Sequence, residues 1–127
     1  MINRFEHFKD YQKNKAYQEK MIVERKKVFN EACKNDLNDD IKQHLYSDVI
    51  RAENVLNQLI LDEMEERRIL EGILETYIQD FRIRDILFMK YIQNITLKEC
   101  AKVIGFSYDY TRELCSKGRM ILKQVMM

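Results

Sequence analysis

Tyr108, Asp109, Arg112, Glu113 and Ser116 fall on one side of a helix drawn from Ser107 at 3.6 residues per turn. Those residue types, in that pattern, suit the edges of base pairs. An arginine forks to the two acceptors of guanine, a carboxylate accepts from the cytosine amino group, and hydroxyls serve either sense. Lys117 and Arg119 lie further along the same helix, and Lys98 and Lys102 on the segment before it; such cations hold phosphates. Thr111, Leu114, Gly118, Ile121 and Val125 step by three and four on the other side, a pattern that packs inward. Periodicity alone fits a second reading, a helical hairpin with an ordinary solvated face.

Other chemistry finds little support. Asp62, Glu63, Glu65 and Glu66 bring carboxylates together, but no Glu-x-x-His spacing and no convergent histidine organises them, so they read as a solvated acidic patch. Cys33, Cys100 and Cys115 are widely spaced and form no Cys-x-x-Cys, which points to reduced thiols in a cytoplasmic protein. His7 and His44 do not sit at metal-ligand spacing. A phosphate-cradling glycine loop and a nucleophile beside a base are both missing, so the chain does not read as an enzyme, and no metal or cofactor is expected.

The elements that must carry the outward face are legible from local signals. Thr96 followed by Glu99 is a capping box that opens a short helix, and Leu97, Cys100, Ala101 and Ile104 give that helix one apolar side. Gly105 suits the left-handed residue of a sharp turn. Phe106 is an apolar plug, and Ser107 is a good N-cap for the helix that follows. Upstream, Asp80 is a cap or hinge before a helix over 82–93, whose Ile83, Ile86, Leu87, Met89 and Tyr91 supply a third wall. Before that, Ile69, Leu70, Ile73, Leu74, Tyr77, Ile78 and Phe81 form a further apolar face.

The run from Ile86 to Ser107, Ile-Leu-Phe-Met-Lys-Tyr-Ile-Gln-Asn-Ile-Thr-Leu-Lys-Glu-Cys-Ala-Lys-Val-Ile-Gly-Phe-Ser, resembles the sigma-70 region 4 type of helix-turn-helix. The likeness extends over roughly residues 80–124 without a gap, and Phe106 to Arg112 is similar in style to small phage and prophage regulators of the ArpU and RinA late-gene-activator kind. Asn94 stands where that family often has Gly, and Asn tolerates the same left-handed cap. Thr111 replaces a usual Val or Ile, and Glu113 and Cys115 make the recognition face less basic. The resemblance implies a phage- or mobile-element-encoded transcriptional regulator that places the Tyr108–Lys117 helix in a major groove of double-stranded DNA. Its alternative is a sigma-like interaction protein that binds RNA polymerase, a sigma factor or another host protein without reading DNA.

Composition agrees with an all-α protein: no proline and three glycines in 127 residues, with abundant Glu, Lys, Leu, Ile and Gln. The formal net charge of +1 hides an uneven distribution. Residues 31–75 hold five Lys/Arg against twelve Asp/Glu, whereas residues 82–127 hold nine against four, so the carboxyl-terminal part is the cationic one. Residues 2–34 are aromatic and charged with a drifting helical spacing, which fits one long amphipathic helix or two shorter ones. Residues 35–40 are a linker with an N-cap near Asp39 or Asp40. Leu45, Val49, Ala52, Leu56 and Leu59 then make a coiled-coil-like seam, to be buried within one chain or against a second copy. Residues 62–68 are either the exposed middle of one helix or a joint.

The expected organisation is therefore an amino-terminal region of long helices in a coiled-coil-like hairpin, residues 1–66, for homodimerisation or partner contact. A sigma region 4-like bundle over residues 67–127 follows it. No apolar run approaches membrane-spanning length, and no signal peptide is evident, which leads us to expect a soluble cytoplasmic protein.

Overall fold

A computed structural model describes residues 1–125. Among them every regular element is helical: α1 (Ile2–His7), α2 (Lys9–Lys34), α3 (Asp39–Tyr77), α4 (Phe81–Leu87), a π-helical segment (Phe88–Ile92), α5 (Leu97–Ile104) and α6 (Tyr108–Gln124). The amino-terminal stretch is thus two helices rather than one, and residues 62–68 lie inside the single helix α3. No helix among the described residues is long and apolar enough to cross a membrane. Contacts divide the described residues into two compact units, residues 10–63 and residues 1–9 with 64–125.

In the first of these, α2 and the early part of α3 form an antiparallel hairpin. Asp36 takes a left-handed conformation (φ 54°) in the connection, and Asn38 Oδ1 accepts from Ile41 N at 3.0 Å. The cap is therefore Asn38, one residue before the expected position. Val49 and Ala52 of the expected seam are buried, as are Ile22 and Ala32 of α2. Gln18 donates to the Ala52 carbonyl at 3.0 Å, and the Phe29 and Tyr46 rings meet at 5.6 Å. Leu45, Leu56 and Leu59 are half-buried, so the seam is covered in part within the chain.

The other unit carries the larger core. Leu70, Ile78, Ile86, Leu87 and Leu122 are fully buried, and Phe5 of α1 is 1% exposed. Phe5 meets Tyr91 edge-on at 6.0 Å, and Arg4 Nε donates to Glu66 Oε1 at 2.8 Å, so α1 is held to this core by an apolar anchor and an ion pair. Asp80 caps α4 by accepting from Arg82 N at 2.9 Å. Hydrogen bonding to Arg82 is the main cause that lowers the Asp80 carboxyl to about 2.

Two expectations for the apolar face over 69–81 change. Tyr77, the last residue of α3, and Phe81, the first of α4, are exposed on either side of the turn between the two helices, whereas Leu70, Ile73, Leu74 and Ile78 are buried. The helix expected over 82–93 begins as an α-helix and widens after Leu87. Gln93 N donates to the Phe88 carbonyl at 3.1 Å and Ile95 N to the Met89 carbonyl at 2.9 Å. Asn94 follows in the left-handed region (φ 57°) and turns the chain toward α5.

A candidate nucleic-acid interface

Local chemistry sets both ends of the bend between α5 and α6. Thr96 Oγ1 accepts from Glu99 N at 3.3 Å and opens α5. Gly105 closes it at φ 84°, ψ 24°, and the amides of Gly105 and Phe106 both donate to the Ala101 carbonyl, at 2.9 and 3.1 Å. That pair of bonds needs a left-handed residue, and glycine adopts it without a Cβ penalty. Ser107 Oγ then accepts from Tyr110 N at 3.2 Å and opens α6.

Packing orients α6. Thr111, Leu114, Cys115, Gly118 and Leu122 are buried, and the Thr111 hydroxyl is satisfied by donating to the Ser107 carbonyl at 2.9 Å. A Cβ at Gly118 would lie 2.6 Å from both Ile83 Cγ2 and Leu87 Cδ1, so the missing side chain is what lets α4 approach α6. Phe106 rests edge-on against Tyr110 at 5.1 Å. The Tyr110 hydroxyl in turn accepts from Arg82 Nη1 at 2.7 Å, which joins the α6 start to the capped start of α4. Only one of the two tyrosines near the α6 start therefore faces outward, Tyr108.

The five residues expected to meet bases, Tyr108, Asp109, Arg112, Glu113 and Ser116, are all exposed on one stretch of α6. Arg112 lies over the Tyr108 ring at 5.9 Å and 3.6 Å from Asp109, and Lys117 lies 3.9 Å from Glu113. These are exposed pairs within one helix, worth a few tenths of a kcal/mol each, and they exchange readily for a stronger ligand. Lys98 and Lys102 are exposed on α5. Arg119 differs from the other expected phosphate contacts: its Nη1 donates to the Tyr91 hydroxyl at 2.8 Å and its Nη2 to Glu6 Oε1 at 3.2 Å.

Two placements were not legible. Cys115, read as part of the outward face, is 2% exposed, and burial pushes its thiol up, as it does that of Cys100. Met120, 60% exposed, joins the outward stretch one turn beyond Ser116; its 3.6-residue register with Glu113 and Ser116 was the available signal. No group of His, Cys, Asp or Glu able to hold a metal occurs among the described residues. Comparison with protein-family models, curated proteins and solved structures finds no match to this chain.

Proposed function

We propose that this chain is a transcriptional regulator, of the kind phages and mobile elements encode, that binds duplex DNA with α5 and α6 as a sigma region 4-like helix-turn-helix. The observation that carries the reading is the Gly105 bend. It holds α6 by its Thr111–Leu122 side and leaves Tyr108, Asp109, Arg112, Glu113 and Ser116 contiguous and unburied. Arg112 makes the strongest base contact in this reading. Lys98, Lys102 and Lys117 take phosphates, and Arg119 joins them by exchanging Glu6 for a phosphate oxygen. Within residues 1–66, the hairpin of α2 and early α3 serves dimerisation or partner contact, since two recognition helices on paired half-sites bind far more tightly than one.

The test is selection of bound fragments from a genomic pool, followed by affinity measurements on the preferred site. Arg112→Ala should lose about 1–3 kcal/mol there and little elsewhere. Lys117→Ala should weaken binding on every sequence and lower the logarithmic salt slope by about one. Wild-type binding by both variants refutes the assignment of this face.

A second reading, an interaction protein that binds RNA polymerase or a sigma factor without reading DNA, draws on different observations. Both Arg112 and Lys117 lie beside a carboxylate of their own helix, and Met120 and Val103 are exposed apolar residues on α6 and α5. Indifference to duplex at low salt, together with co-purification of polymerase, would select it.

A further inference from the structure

A cleft of about 300 Å³ opens where α1, the π-helical segment and α6 meet, lined by Glu6, Lys9, Lys90, Tyr91, Asn94 and Arg119. Three of these are cations and one is an anion. Arg119 is already aimed: the Tyr91 hydroxyl holds one of its nitrogens and Glu6 another, which leaves further N–H donors of the five-donor fork. Lys90 is ordered above the Tyr91 ring, with Nζ 5.3 Å from its centroid. Lys9 and Lys90 form no ion pair among the described residues. The cleft therefore keeps a surplus of two positive charges at close quarters, an arrangement that repels itself until an anion enters.

The backbone that builds the cleft is itself unusual. The π-helical turn is a rare conformation that recurs at functional sites, and here it presents both Lys90 and Tyr91 to the cleft. Asn94, on the left-handed turn that ends this segment, brings its polar side chain to the rim. Along α6, Arg119 follows Arg112 by seven residues, two helical turns and about 10 Å, on the same side of the helix. The cleft thus continues the candidate interface rather than opening on an unrelated surface.

We propose that this cleft seats one phosphate group, gripped by Lys9, Lys90 and Arg119, and that Glu6 occupies Arg119 in its absence as an internal substitute for the phosphate. Resting on the duplex-binding reading, the phosphate is a backbone phosphodiester of the bound DNA. The same chemistry also accepts a free phosphate compound. α1 is then part of the binding machinery, bringing the competing carboxylate, and Lys9 opens α2 one residue beyond it.

The experiment compares the full-length wild type with Lys9→Ala/Lys90→Ala and Glu6→Gln, using Arg67→Ala/Arg68→Ala, exposed on α3, as a control of equal charge loss. Duplex affinity is measured from 50 to 200 mM salt, and thermal stability is read with inorganic pyrophosphate at constant ionic strength. Each phosphate contact contributes about 0.9 to the logarithmic salt slope. Losing the grip on that one phosphate should therefore make the affinity drop over that fourfold salt range about threefold smaller than in wild type, with the control close to wild type. Glu6→Gln should bind more tightly on every sequence.

If wild type binds duplex and Lys9→Ala/Lys90→Ala keeps its salt slope, the cleft proposal is overturned and the DNA reading stands. If wild type ignores duplex but pyrophosphate stabilises it through Lys9 and Lys90, the DNA reading falls and the cleft stands as a site for a free phosphate compound. Indifference to both ligands overturns both.

Discussion

Gly118→Ala tests the packing that aims the outward face. The added methyl would sit 2.6 Å from Ile83 Cγ2 and Leu87 Cδ1 and 3.1 Å from Leu87 Cγ, well inside ordinary van der Waals contact. Both neighbours are buried, at 6% and 0% exposure, and the Ile83 methyl hangs from a stiff β-branched carbon, so neither moves aside cheaply. Overpacking of this kind costs about 1–3 kcal/mol, and two simultaneous contacts place the change near the top of that span. Against it stands the better helix propensity of alanine, about 1 kcal/mol. The variant should be about 2 kcal/mol less stable, a fall in Tm of roughly 8 °C at about 4 °C per kcal/mol for a chain of this size.

Gly72→Ala is the matched control, since a Cβ there meets nothing within 4 Å and the site is an exposed interior position of α3 in the same unit. It should gain about 1 kcal/mol, so the two substitutions move thermal unfolding in opposite directions. A double-mutant cycle with Leu87→Ala, which removes two of the three crowded atoms, should show a coupling of about 0.5–3 kcal/mol. Were Gly118→Ala as stable as wild type or more so, the close approach of α4 and α6 would be wrong, and the orientation of Tyr108 and Arg112 would lose its support.

Two further outcomes follow from charges and thiols. The Asp80 carboxyl is lowered from 3.8 to about 2 in the folded chain, so its stabilising contribution is complete above 3.8 and is lost as the pH falls toward 2. Asp80→Asn should therefore show a shallower loss of urea-midpoint stability between pH 5 and pH 2; an unchanged acid limb would count against the Asp80–Arg82 pairing. Of the three thiols, Cys33 is exposed and Cys100 and Cys115 are buried with raised pKa. Iodoacetamide should modify one thiol per folded chain and three in denaturant. Equal rates at all three would contradict the burial of α5 and α6.

The bends and caps were legible because their causes lie within a few residues of their effects. Thr96 reaches Glu99, Ser107 reaches Tyr110, and Asp80 reaches Arg82, each within three positions, and Gly105 is required by its own φ. The five outward residues of α6 were equally legible, since a helical face is a property of register. Register held through the π-helical widening, where Met89 and Tyr91 are buried with Ile83, Ile86 and Leu87 as expected. It failed at the turn between α3 and α4, where Tyr77 and Phe81 are exposed.

The sequence by itself determined that the described chain is helical, where α4, α5 and α6 start and where α5 stops, and that the carboxyl-terminal part is cationic. Tertiary structure alone decided what the long side chains do. Arg119 and Glu6 are 113 positions apart, yet they share a hydrogen bond, and Phe5 closes a core built almost entirely from residues beyond Leu70. Short-range signals carry no information about such pairs, because a side chain finds a distant partner only after packing has brought their backbones together. The same holds for Gly118, whose missing Cβ has meaning only once Ile83 and Leu87 stand against it.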